Sequence, residues 1–286
     1  MDFITKVKEK LVGRSVVVWG ITNVALKIHF ILKSHGIPTS YFISDHYKST
    51  PVIRGIPVKS REVLNKESCF CVTIENNQTV QCLKNKGFVV NEDYLVKNDD
   101  LLEYDFVFDG VPIGKYTTGF STFLNCIGQH SQHNCISSIG RYVSINGKAY
   151  MNGNHHVRSL TTCHRLERDV VSLNKLEKSG LNAHLESFHS IKIGSDVWIG
   201  ANVFINASKV HTIGDGAIIG ANAVVNEDVP PFAIVVGVPG KVKKFRFSEQ
   251  EIEILQRVQW WNWDEQTIAE NADCFEDINL FFEKFQ

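Results

Sequence analysis

The chain has 286 residues with a formal net charge of −1, 43% hydrophobic and 21% charged residues. That size suits one large domain or two moderate ones, and the balance is that of an ordinary soluble globular protein. No basic excess argues for nucleic acid or an anionic membrane surface, and no segment approaches the roughly 20 consecutive apolar residues of a membrane span. The opening stretch MDFITKVKEKLVGRS has no apolar run behind a basic patch, so it does not read as a signal peptide. The cysteines Cys69, Cys71, Cys82, Cys126, Cys135, Cys163 and Cys274 are odd in number and never spaced CxxC. This speaks against a disulfide framework or a zinc knuckle and fits a reducing cytoplasm.

In chain order, Phe3, Ile4, Val7 and Leu11 mark a short amphipathic helix, and Ser15–Trp19 (SVVVW) a buried strand. Gly20 ends that strand. Asn23–Ser34 has helical spacing through Val24, Ile28, Ile31 and Leu32, and Gly36-Ile37-Pro38 stops it. Tyr41–Ser44 reads as a second strand closing on Asp45. Phe70–Ile74, a polar helix around Gln78–Lys86, and Phe88–Val90 follow. Alternating strands and helices predict a small Rossmann-like parallel α/β domain over residues 1–105.

A different grammar begins near Asp109. Val111-Pro112-Ile113-Gly114, Cys126-Ile127-Gly128 and Ser138-Ile139-Gly140 are loose six-residue turns, followed by Ser144-Ile145-Asn146-Gly147. The period is lost across a polar, histidine-containing excursion, residues 151–190, and returns from Ile191 to Val225. There Ile193, Ile199 and Ile205 fall six apart, as do Ile213, Ile219 and Val225, and Gly194, Gly200, Gly214 and Gly220 follow four of them. Six fits neither helix nor simple strand alternation. It fits a triangular coil whose aliphatics point inward and whose corners must be small, the hexapeptide signature of a left-handed parallel β-helix. Asn206–Thr212 carries two residues too many, which predicts a bulge or wider corner. The coil is expected over 106–246, and C-terminal helices over 247–286 cover its end. Ser248 with Glu251 forms a capping box there, Asp264 caps a second helix, and Ile278–Phe285 forms a terminal one.

Several ordered motifs carry a family resemblance. They are Gly153-Asn154-His155 with Ser159–Thr162 behind it, Asp196-Val197-Trp198-Ile199-Gly200, and Val229-Pro230-Pro231-Phe232-Ala233-Ile234. Gly237-Val238-Pro239-Gly240-Lys241-Val242, Arg246-Phe247-Ser248 and Trp260-Trp261-Asn262-Trp263 continue them. On these, Met151 to about Asp277 resembles the xenobiotic acetyltransferase branch of the hexapeptide enzymes, which includes type B chloramphenicol acetyltransferases. The antibiotic-modifying members lack the front domain. An α/β domain before a hexapeptide coil instead looks like the N-acetyltransferases of nucleotide-linked 4-amino sugars, as in the bacillosamine pathway.

The resemblance implies acyl transfer from acetyl-CoA or another acyl-CoA, without a metal. His155 matches the general base, a task suited to an imidazole titrating near neutral pH. His156 is its neighbour and rival, and a solvated loop histidine is the plain alternative. His130, His133, His164, His184 and His189 have no recognised metal-ligand spacing. His184 and His189, flanking Glu186, are candidates for the acceptor pocket, as is Asn154. A pantetheine arm is expected to approach the backbone at Gly200-Ala201 and Gly220-Ala221, although the fold also demands small corners. Lys241, Lys243 and Lys244 are expected either to meet coenzyme A phosphates or to form a solvated basic turn. Trp198 is a wall of the acyl pocket or a subunit contact, since active sites of this family lie between subunits of a homotrimer. The Trp260–Trp263 cluster is expected to pack the terminal helices.

In the front domain, Gly20-Ile21-Thr22-Asn23-Val24-Ala25 keeps only the first glycine of G-x-G-x-x-G, which is poor for a dinucleotide. Gly20, Thr22 and Asn23 at a helix N-terminus still suit a phosphate, and Asp45 a ribose or pyrimidine N–H. The sequence thus predicts a cytoplasmic N-acyltransferase acting on the amino group of a sugar nucleotide in surface glycan assembly. O-acylation of a sugar or antibiotic hydroxyl is the second reading. A non-catalytic trimeric scaffold that binds sugar nucleotides is the third.

Overall fold

The computed structural model describes residues 2–73, 77–96, 103–125, 135–152 and 190–286, and the chain divides into two compact units, Met1–Lys115 and Tyr116–Gln286. Among the described residues no helix is long and apolar enough to cross a membrane.

The first unit opens with helix α1 (Phe3–Lys10), whose N-terminus is capped by the Asp2 carboxylate accepting from the Thr5 N–H. Its sheet has six strands: β1 (Ser15–Trp19), β2 (Thr39–Ile43), β3 (Val52–Ile53), β4 (Ile56–Lys59), β5 (Cys69–Thr73) and β6 (Tyr94–Val96). They lie in the order β3-β4-β2-β1-β5-β6, and every pairing is parallel except the β3–β4 hairpin. Strand β1 sits centrally with Val16, Val17 and Val18 buried, as a near-continuous apolar run should when both faces are covered. Helix α2 (Asn23–Ser34) buries Ile28, Ile31 and Leu32 completely, and helix α3 (Asn77–Asn85) buries Leu83.

Two local expectations differ. Phe88–Val90 is not a strand: only Val90 makes a bridge, to Tyr94. Phe88 is buried beside the helix end, but Val89 and Val90 are exposed, and the Val89 N–H donates to the Asp93 carboxylate instead of a sheet partner. The edge strand is β6. The β3–β4 hairpin has no counterpart in the expected elements. Its turn is Arg54-Gly55, with φ of 51° and 79°, the conformation that matches hairpin twist. A second such turn, Asp109-Gly110, joins β7 (Phe106–Phe108) antiparallel to β8 (Val111–Ile113).

The second unit contains a short helix α4 (Phe120–Asn125) and a coil of parallel rungs. One side stacks β9 (Ile136–Ile139), β12 (Ile191–Ile193) and β15 (Thr212–Ile213). The second stacks β10 (Ser144–Ile145), β13 (Trp198–Ile199), β16 (Ile218–Ile219) and β18 (Ala233–Val236). The third stacks β11 (Tyr150–Asn152), β14 (Phe204–Asn206) and β17 (Val224–Val225). Inside run three aliphatic columns: Ile139-Ile193-Ile213, Ile145-Ile199-Ile219-Val235 and Met151-Ile205-Val225. All are at least 95% buried, each contributing about 1.5–3 kcal/mol.

The corners explain the glycines. A Cβ on Gly140 would sit 2.5 Å from the Gly194 carbonyl carbon, on Gly194 2.6 Å from the Asp215 nitrogen, and on Gly200 2.7 Å from the Ala221 nitrogen. On Gly220 it would lie 2.8 Å from a Val236 methyl. The space a side chain would fill is taken by the next coil. At a corner of each rung a residue with positive φ redirects the chain: Tyr142, Asp196, Gly216 and Phe232, at 56° to 67°. The N–H groups of Asp196, Gly216 and Phe232 donate to the carbonyls of Arg141, Ser195 and Asp215, one coil back.

The long corner at Asn206–Thr212 closes as a turn. The N–H groups of Lys209 and Val210 both donate to the Asn206 carbonyl, and Val210 turns fully inward. The coil does not end at Val225. Strand β18 adds a further rung, and β19 (Lys241–Phe245) then runs back antiparallel along it. Helices α5 (Glu249–Val258), α6 (Glu265–Glu270), α7 (Ala272–Glu276) and α8 (Ile278–Phe285) follow, with the Ser248–Glu251 capping box and the Asp264 cap formed. Trp261, Leu255, Cys274, Phe281 and Phe282 pack on Phe232, with Tyr142, Trp260 and Trp263 around them. The tryptophan cluster is therefore packing of these helices on the coil.

Gly194→Ala is expected to destabilise the protein by about 1–3 kcal/mol, because the Asp215 backbone, together with its carboxylate held by the Ser195 N–H, occupies the space; urea unfolding measures it, and an unchanged midpoint would refute the corner argument.

His29 on α2 is 4% exposed, its Nδ1 without a hydrogen-bond partner, and burial, helped by Lys33, lowers its pKa to about 4. The unfolded chain therefore binds a proton between pH 6.5 and 4 that the folded chain refuses, so stability falls as pH falls through that window, by up to about 3 kcal/mol. His29→Leu should flatten the difference in unfolding free energy between pH 7 and pH 5 relative to the wild type. An unaltered pH dependence would show that the imidazole is solvated.

Candidate functional site

On each rung of the coil the residue before the inward aliphatic points outward, because side chains alternate along a strand. The second side thus carries an outer row in register: Ser144, Trp198, Ile218, Ile234 and Lys244. Trp198 is 47% exposed, Ser144 and Lys244 are exposed, and the two isoleucines are half-buried. The third side carries Tyr150, Phe204 and Val224, the two rings 5.3 Å apart. The first side carries Ser138, Lys192 and Thr212 and is polar.

The edge between the second and third sides holds the small residues expected to face a ligand. Gly200 is buried, Gly220 and Ala201 are half-buried, and Ala221 is exposed. The coil itself fills the space beside Gly200 and Gly220, so their smallness is accounted for without any ligand. Beside them Asn202 and Asn222 take the left-handed conformation, φ 56° and 61°, and the Asn202 amide donates to Asn222 Oδ1 at 3.2 Å.

The three lysines lie on exposed β19 and differ in their surroundings. Lys241 Nζ is 2.6 Å from Glu227 Oε1. Lys244 stands opposite Ile234 at the end of the outer row, and neither it nor Lys243 forms an ion pair among the described residues. Two motifs distant in sequence meet here. Arg246 Nη1 donates to Asp196 Oδ2 and to the Gly216 carbonyl, both at 2.8 Å, and its guanidinium lies over the rings of Phe232 and Phe247. Burial raises the Asp196 pKa, and the Arg246 hydrogen bond and charge oppose it without cancelling it. The pair is an anchor for the positive-φ corner, and Asp suits that corner because its short polar side chain tolerates the left-handed region.

In the first unit, Gly20 has φ +119°, a value that favours glycine, and its N–H donates to the Ile43 carbonyl at 2.9 Å. Thr22 caps α2, its Oγ1 accepting from the Ala25 N–H at 3.4 Å. Asn23 begins the helix. Asp45 is exposed just beyond β2 and faces Arg61 at 3.4 Å, a partner with no signal in the sequence pattern. Asn154, His155, His156, His184 and His189, and with them the expected base, lie outside the described residues. Among the described residues no cluster of three or more His, Cys, Asp or Glu is arranged to hold a metal ion.

Ile218 and Ile234 escaped the sequence reading. Ile218 carried a signal, since it precedes the inward Ile219 of the repeat, whereas Ile234 precedes Val235, which lies outside the six-residue period and joins the row only through the pairing of β18 with β16.

No family model matches the chain. It is 42% identical over 108 residues to a chloramphenicol acetyltransferase of Morganella morganii, covering 37% of this chain and 50% of that protein. It is 39% identical over 80 residues to the galactoside O-acetyltransferase of Escherichia coli strain K12, covering 25% of this chain and 38% of that protein. The chain thus spans half or less of the length of these curated relatives. Among solved structures it is similar to WeeI from Acinetobacter baumannii AYE, at 18% identity, over 80% of this chain and 99% of that one. The TM-score is 0.24, a likeness too low to carry an argument.

Proposed function

We propose that the chain is an acyl-CoA-dependent acetyltransferase of the left-handed hexapeptide-repeat type, and that its acceptor is the amino group of a nucleotide-linked deoxyamino sugar. The observation that carries the activity is the local identity to named acetyltransferases, joined to a coil whose outer row combines an exposed indole, aliphatic side chains and a cation. The acceptor is argued from the α/β unit, whose β1–α2 turn and Asp45 stand where open parallel sheets bind nucleotides, outside the carboxyl ends of the strands.

His155 is assigned as the base. It takes a proton from the acceptor amine as nitrogen attacks the thioester carbonyl, and the tetrahedral oxyanion is held by backbone N–H donors. Collapse breaks the carbon–sulfur bond. The imidazolium returns its proton to the thiolate, leaving an amide and free coenzyme A. A second reading keeps the base and the coenzyme and exchanges the acceptor for a hydroxyl. It is favoured by the galactoside O-acetyltransferase and chloramphenicol acetyltransferase likenesses.

His155→Ala should lower kcat about 10²–10⁴-fold without changing the melting temperature. Thiol release with amine and hydroxyl acceptors in parallel separates the two readings. A variant as fast as the wild type, or a thioester left intact with every acceptor of both kinds, removes the proposal.

A homotrimer belongs to the same reading. The Tyr150-Phe204-Val224 row is an apolar coil side suited to burial against a neighbouring copy, whereas the Ser138-Lys192-Thr212 side is suited to water. Tyr150→Glu should lower the sedimenting mass of the native protein toward that of one chain; a wild type that sediments as a monomer argues against the assembly.

A further inference from the structure

The first unit contains a cleft that the proposed reaction leaves unused. It lies where α2 ends beside the β7–β8 hairpin, is lined by Phe30, Lys33, Ser34, Val107, Asp109 and Gly110, and has a volume of about 490 Å³. That is the size of a small-molecule site. A helix rises about 1.5 Å per residue, so Lys33 stands roughly 16 Å along α2 from Thr22 and the β1–α2 turn. A small molecule in the cleft would therefore leave the nucleotide's place clear.

The walls are already fixed by contacts within the chain. Ser34 Oγ donates to the Phe30 carbonyl at 2.8 Å and accepts from the Val107 N–H at 2.9 Å, which ties β7 to the helix end. The Phe30 and Phe108 rings are 4.7 Å apart, and Arg54 holds the Asp109 carboxylate at 2.7 Å, joining the two hairpin tips. Val107 is 44% exposed and supplies apolar contact surface. Lys33 is exposed and forms no ion pair among the described residues. The lining thus carries both signs of charge around an apolar wall. A purely anionic ligand would meet Asp109, and a purely cationic one would meet Lys33.

We propose that this cleft is a second small-molecule site, for an α-amino acid with an apolar side chain. The carboxylate lies toward Lys33, the ammonium toward Asp109, and the side chain against Phe30 and Val107. Charge-assisted hydrogen bonds at the two ends set the orientation, and the apolar wall selects the side chain. The assignment does not depend on the acyl-transfer reading.

The test is calorimetric titration of the full chain with phenylalanine and leucine, with N-acetylphenylalanine, which lacks the ammonium, and with phenylalaninamide, which lacks the carboxylate. At least one of the two free amino acids should bind with a Kd of about 1 mM or tighter, and each one-charge analogue about tenfold more weakly than phenylalanine or not at all. Lys33→Met should weaken the free amino acid about tenfold, and Lys33→Arg, which keeps the charge, should stay within about threefold. Both variants should melt at the wild-type temperature, since Lys33 is exposed at the helix end. No saturable binding of either amino acid to the wild type overturns the proposal. So does an analogue that binds as tightly as phenylalanine, or an undiminished affinity in Lys33→Met.

Discussion

The coil depends on how closely one rung can lie on the next. Neighbouring strands sit about 4.8 Å apart, and at the glycine corners that spacing leaves no volume for a side chain. Gly140, Gly194 and Gly200 are each filled from outside by the backbone of the following rung. The inward aliphatic columns, the outward rows and the register that aligns Trp198 with Ile218 and Ile234 all follow from that stacking. Were the corners wider, the hydrogen bonds from Gly216 and Phe232 back to the preceding coil would not close.

The sequence is most legible where one physical rule governs one residue. A six-residue spacing of isoleucines followed by glycine has few other meanings, and the inward set was readable down to Val225. The surplus residues at Asn206–Thr212 announced a wide corner because the period could be counted across them. Capping was equally local: Ser248 with Glu251 and Asp264 act within one helical turn.

Legibility failed where pairing over distance decided the outcome. Phe88–Val90 has strand composition, but only Phe88 is buried, and a carboxylate three residues beyond Val90 takes an N–H that a sheet would have used. Strand β18 breaks the six-residue rhythm after Pro230-Pro231, so its membership in the coil became visible only through its pairing with β16. The ion pair of Asp196 and Arg246 joins two recognisable motifs whose relation the linear order conceals. The three lysines of β19 look alike in sequence and differ only through what stands beside them.

The reversed direction of β19 has one more consequence. A parallel coil ends in a rung whose N–H and C=O groups are still able to pair, which would let a second molecule continue the spiral head to tail. Here the last rung is met by a strand running the opposite way, studded with Lys241, Lys243 and Lys244. Lysines on such an edge disfavour the addition of a further strand, so on this side of the coil the border is a poor template for continued growth.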